Sequence, residues 1–123
     1  MPWTVRFENE FEGEFLALQT EVQDQLLAGA RLLADYGPRL GRPYVDTLKG
    51  SKHANMKELR FDAAGGVWRV AFAFDPRRQG ILLVAGDKSG VSQGRFYEQL
   101  IAKADKRYAA HLARLKKASA KQG

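Results

Sequence analysis

"MKELRFDAAGGVWRVAFAFDPRRQGILLVAG", residues 56–86, contains three strand-like runs separated by two turn signals. "MKELRFD" alternates, with Leu59 and Phe61 on one face and Glu58 and Arg60 on the other. "AAGG" is a turn. "VWRVAFAFD" then puts Trp68, Val70, Phe72 and Phe74 on one face, leaving Arg69, Ala71 and Ala73 on the other. "PRRQG" is the second turn. "ILLVAG" is apolar throughout, the pattern of a central strand covered on both faces.

Upstream, "WTVRF" (residues 3–7) reads as a first strand. From Glu10 to Tyr36 the apolar residues Phe11, Phe15, Leu18, Val22, Leu26, Ala30 and Leu33 fall at helical spacing, and Gly13 is the expected break between two helices. "YGP" stops the second helix, because Gly37 suits a left-handed cap and Pro38 cannot continue it. Residues 38–55 hold two Pro and two Gly and read as a long loop, a feature that is often functional. Downstream, Phe96, Leu100, Ala104, Tyr108, Leu112 and Leu115 form one stripe of a basic helix over residues 94–117.

The expected fold is therefore α+β. A small, mostly antiparallel sheet carries the N-terminal helix or helices on one face and ends in a C-terminal helix. Arg60 and Arg69, with small Ala71 and Ala73 beside them, are expected on a sheet face that the helices leave open and concave. Residues 1–117 form one domain and residues 118–123 a flexible basic tail.

The 123 residues include no cysteine, which excludes disulfides and thiolate metal sites. The start lacks the basic and apolar regions of a secretory signal, and no stretch approaches the ~20 apolar residues of a membrane span. The expected location is the cytoplasm. Net charge is +6, unevenly distributed. Residues 1–36 carry 2 basic and 7 acidic side chains, residues 37–93 carry 10 and 5, and residues 94–123 carry 8 and 2. A basic second half points to an anionic partner such as nucleic acid.

His53 and His111 lie in different segments without metal-ligand spacing. "GDKSG" lacks the spacing of a phosphate loop, and no serine sits in a nucleophile elbow. Arg60 and Arg69 stand out because each interrupts a β-forming run on the same face, and the planar guanidinium suits phosphate oxygens. Lys88, Lys49 and Lys52 can join them. The simpler reading is a solvated face with cross-strand charge pairs.

"GPRLGRPYVDTLKGSKHANMKELRF" (37–61), "WRVAFAFDPRRQGILLVAGDKSG" (68–90) and "YEQLIAKADKRYAAHL" (97–112) resemble HigB toxins of the RelE/ParE superfamily, in its Gp49-like, phage-derived branch. The resemblance covers most of the chain, to about Leu112. It implies a RelE-like fold and the toxin of a type II toxin–antitoxin module. Such a toxin cleaves messenger RNA, usually on the translating ribosome, with no metal and no cofactor. The implied partners are a helix-turn-helix, HigA-like antitoxin, messenger RNA and the ribosome. Charged residues two apart on the active strand fall on Glu58 and Arg60. The arginine after the glycine–aromatic turn falls on Arg69, the basic residue after the last strand on Lys88, and the C-terminal aromatic on Tyr97. Lys49, Lys52, Lys57 and Arg95 are the expected RNA-binding residues, with Lys57 directed to the opposite face. Relatives often carry tryptophans after "GDK", where this chain has "SGVSQGRFYEQ".

The implied chemistry is attack by a ribose 2′-hydroxyl on the adjacent phosphate, with Arg60 and Arg69 stabilising the growing charge. Glu58 is the one carboxylate expected near them on that face. A ParE-like inhibitor of DNA gyrase, a basic RNA-binding module without catalysis, and a degenerate toxin that only binds its antitoxin are the alternatives.

Overall fold

The computed structural model describes residues 2–122. The element order is β1 (Thr4–Phe7), α1 (Asn9–Leu16), α2 (Thr20–Tyr36), β2 (Val45–Thr47), β3 (Lys57–Ala63), β4 (Gly66–Phe74), β5 (Gln79–Asp87) and α3 (Gln93–Gln122). The strands form one sheet in the order β1-β5-β4-β3-β2. Only the β1–β5 pair is parallel. The expected α+β architecture is thus present, with one addition. Within the expected long loop, residues 45–47 form the short edge strand β2 against β3.

Local chemistry sets the boundaries. Glu8 caps α1, its carboxylate accepting the backbone N–H of Glu10 and Phe11. The break between α1 and α2 comes at residues 17–19 instead of at Gly13. Gly13 lies on the open side of α1, where a glycine costs little packing. The end of α1 is instead held by Gln23, whose side-chain amide donates to the Phe15 and Leu16 carbonyls. Gly37 ends α2 with φ 60°, and a Cβ there would collide with the Trp3 indole. Ala64 and Gly65, both at positive φ, make the two-residue turn between β3 and β4.

Both faces of the sheet are covered. Leu59, Val70, Phe72 and Leu82 pack with Phe11 and Phe15 of α1 and Leu26 and Leu33 of α2. Ala71, Ala73, Ile81 and Leu83 pack with Phe96, Leu100, Ala104 and Tyr108 of α3. The expectation of an open, concave face beside Arg69, Ala71 and Ala73 is therefore corrected. α1 and α2 fill the other face, so the apolar stripe of α3 is buried on this one, and the alanines let the helix approach. A bulge opposite Ala71 and Phe72, which pair with Val84 and Leu82, turns both Leu83 and Val84 toward α3.

An ionic seam joins the two ends of the chain. Buried Arg107 on α3 donates to Glu10, Glu14 and the Leu83 carbonyl. Helix α3 continues past Lys117 to Gln122, through most of the stretch expected as a tail, whose last residue, Gly123, lies outside the described residues. Among the described residues no helix is long and apolar enough to cross a membrane.

Candidate active site

α3 leaves one end of its sheet face uncovered. There the first turns of α3, strands β2 and β3, the start of the 48–56 loop and the end of β5 enclose a cleft of about 450 Å³. Its lining includes Arg42, Lys49, Arg60 and Lys88, two carboxylates, Asp46 and Glu58, and Tyr97 and Gln93.

Glu58 forms the floor. It is 5% exposed. Its Oε1 accepts the Tyr97 hydroxyl at 2.8 Å. Burial raises the Tyr97 hydroxyl above its ordinary pKa, the Glu58 hydrogen bond adds to this, and Arg69 pulls the other way. Tyr97 is therefore a neutral donor at physiological pH. Lys88 sits near its ring, Nζ 5.9 Å from the centroid.

Arg60 is half-buried and forms no ion pair among the described residues. Asp46 is different. The Thr47 backbone N–H and the Arg42 guanidinium, at 2.6 Å, hold its carboxyl below the usual range.

Arg69 does not line the cleft. Its side chain is 7% exposed, as is that of Glu58, with Nε 3.7 Å from Glu58 Oε1. One η-nitrogen donates to the Trp68 carbonyl at 2.8 Å, and the buried Nε has no hydrogen-bond partner. Strand alternation predicts the face of Arg69, but the depth comes from the α3 covering.

Of the residues singled out in the sequence, Glu58, Arg60, Lys88, Tyr97 and Lys49 meet at this cleft, while Lys52, Lys57 and Arg95 are not part of its lining. Lys57 pairs with Phe72 and Thr47 on the α2 side of the sheet, opposite to Glu58. Lys52 and Arg95 are exposed. Sequence reasoning missed Arg42, Asp46 and Gln93. Asp46 lies in the unrecognised strand β2, opposite Glu58, and Arg42 precedes that strand and pairs with Asp46.

The 48–56 loop is clamped to α3. Asp105 accepts the Ser51 hydroxyl at 2.5 Å and the Lys52 backbone N–H at 3.0 Å. Asn55 donates to the Phe74 carbonyl and to Tyr108. These anchors fix the loop that carries Lys49.

Residues 13–109 match the family described as phage derived protein Gp49-like. The chain belongs to the Gp49-like family. Two relatives come from Mycobacterium tuberculosis. The "Putative toxin HigB2" is 45% identical over 97 residues, 78% of this chain and 48% of the relative, so the chain spans about half the length of that protein. The "Putative toxin HigB3" is 45% identical over 98 residues, 80% of this chain and 83% of the relative. This Gp49-like chain also shares its fold with a solved structure of the E. coli toxin RelE, an arginine-to-alanine double variant in the free state. That likeness has a TM-score of 0.60 at 13% identity and covers 84% of this chain and 97% of RelE. The HigB-like resemblance and the RelE-like fold expected from sequence are thereby borne out.

Proposed function

We propose that this Gp49-like chain is the toxin of a toxin–antitoxin pair and cleaves messenger RNA on the ribosome, in the cytoplasm. The observation that carries this reading is the Glu58–Tyr97 hydrogen bond on the floor of a cleft rimmed by Arg42, Lys49, Arg60 and Lys88. The names of the HigB relatives support the toxin role.

Glu58 takes the proton from the ribose 2′-hydroxyl. The 2′-oxygen bonds to phosphorus, and the bond from phosphorus to the 5′-oxygen breaks. Tyr97 gives its proton to the leaving 5′-oxygen, and the proton held by the Glu58 carboxyl restores the Tyr97 hydroxyl before the next cycle. The products are a 2′,3′-cyclic phosphate and a 5′-hydroxyl end. Arg60 and Lys88 stabilise the charge growing on the phosphate oxygens, so the reaction needs no metal. Lys49 and Arg42 hold the flanking backbone. The partner is a helix-turn-helix, HigA-like antitoxin.

The test maps RNA 5′ ends after brief induction without the antitoxin. A transcript with a start codon is compared with one lacking it, and a Glu58→Gln chain runs alongside. Cuts on the translated transcript alone, lost in the variant, are expected. Cuts on both transcripts mean a free ribonuclease. Growth arrest without cuts overturns the nuclease reading and points to a target such as gyrase.

A further inference from the structure

Arg69 is a buried cation beside the cleft that is not part of its lining. Its guanidinium lies beside Glu58, outside the lining, with one η-nitrogen on the Trp68 carbonyl. A buried charge needs a counter-charge, and Glu58 supplies the carboxylate within 4 Å. The Nε–H has no hydrogen-bond acceptor, and at 3.7 Å Glu58 Oε1 is just beyond hydrogen-bonding range. Oε1 is also the atom that receives the Tyr97 hydroxyl. Arg69 and Tyr97 thus approach the same carboxylate oxygen, and among the described residues no hydrogen bond reaches Oε2.

We infer that Arg69 is a positioning residue. Its guanidinium, on the Oε1 side, fixes the orientation of the Glu58 carboxylate, so that Oε2 faces the ribose hydroxyl, and it makes no contact with RNA phosphate. This rests on the nuclease reading above. It differs from the role expected of Arg69 in the sequence, direct stabilisation of the phosphate.

A double-mutant cycle decides between these roles. Single-turnover cleavage on programmed ribosomes is measured for the wild-type chain, Glu58→Gln, Arg69→Met and the double variant, together with KM for the transcript. If Arg69 acts through Glu58, Arg69→Met slows cleavage about 10- to 100-fold. The double variant is then no slower than Glu58→Gln, and KM is unchanged throughout. If the two losses multiply, or KM rises with Arg69→Met, Arg69 touches RNA and the inference is overturned. Arg69→Lys keeps the buried charge and covers the case in which Arg69→Met fails to fold. Partial recovery of rate at unchanged KM supports the positioning role, and a raised KM overturns it. A wild-type chain that cuts nothing overturns the nuclease reading instead. Thermal unfolding of the same four chains then still reports whether the Arg69–Glu58 pairing exists.

Discussion

Arg60 and Arg69 stand directly opposite each other on β3 and β4. Like charges in that position destabilise a sheet. The conflict is eased by opposite fates. Arg69 is buried beside the Glu58 carboxylate, while Arg60 lines the cleft. Arg60→Gln is therefore expected to stabilise the fold by about 0.2–1 kcal/mol. Cleavage by the same variant falls about 100-fold, the usual cost of losing one transition-state donor. Thermal unfolding and cleavage assays on one preparation check both signs.

Tyr97 gives a pH signature. Burial and the Glu58 contact raise its hydroxyl pKa. A folded pKa raised above the unfolded value contributes stability that is fully present below about pH 10 and lost as pH rises through the folded value. Tyrosinate absorbance of the wild type minus Tyr97→Phe isolates this group. It titrates above the ordinary tyrosine range, and Glu58→Gln moves it downward. A titration unchanged in Glu58→Gln would remove the contact from the account.

The Asp105 clamp separates binding from chemistry. Asp105→Ala frees the Ser51 hydroxyl and the Lys52 N–H. Losing hydrogen bonds to a carboxylate costs about 2 kcal/mol, so KM rises about 10- to 30-fold. The saturated single-turnover rate stays within about 2-fold, since no reacting group moves. A collapse of that saturated rate would place the loop in the chemistry itself.

Lys49 is a backbone contact in this scheme. Binding of a model transcript by the Glu58→Gln chain is followed by anisotropy across a salt series. Lys49→Ala weakens binding to all sequences alike and lowers the salt slope by about 0.7. An unchanged slope would remove Lys49 from the RNA path.

Arg107 ties α3 to α1. Arg107→Met leaves buried Glu8 and the Leu83 carbonyl without that cation, at about 3–5 kcal/mol. The Arg107 hydrogen bond also holds the Glu14 carboxyl below its ordinary pKa. That contribution is present above about pH 4.5 and is lost as pH falls through the folded value. Urea unfolding at pH 7 and pH 3.5 shows a large gap between wild type and variant that narrows in acid.

The central strands were legible because alternation and turn chemistry agree over residues 56–86, and Gly37 ends α2 as its backbone freedom predicts. Strand β2 was not, since three residues beside Pro43 carry too little pattern. Alternation put Glu58, Arg60 and Arg69 on one face, yet period-two reasoning contains no depth. Only the docking of α3 makes Arg69 buried and Arg60 accessible. The contacts that bring Tyr97 to Glu58 and Arg107 to Glu14 span 39 and 93 residues, beyond any local signal.

The cleft draws Tyr97 and Gln93 from α3, the last element of the fold to be synthesised, and α3 is anchored to α1 by Arg107. A nascent chain that has exposed its strands but not yet released α3 has no complete cleft. Docking of α3 on the sheet is thus the step that completes the cleft, and strands without it hold Glu58 and Arg60 but no Tyr97.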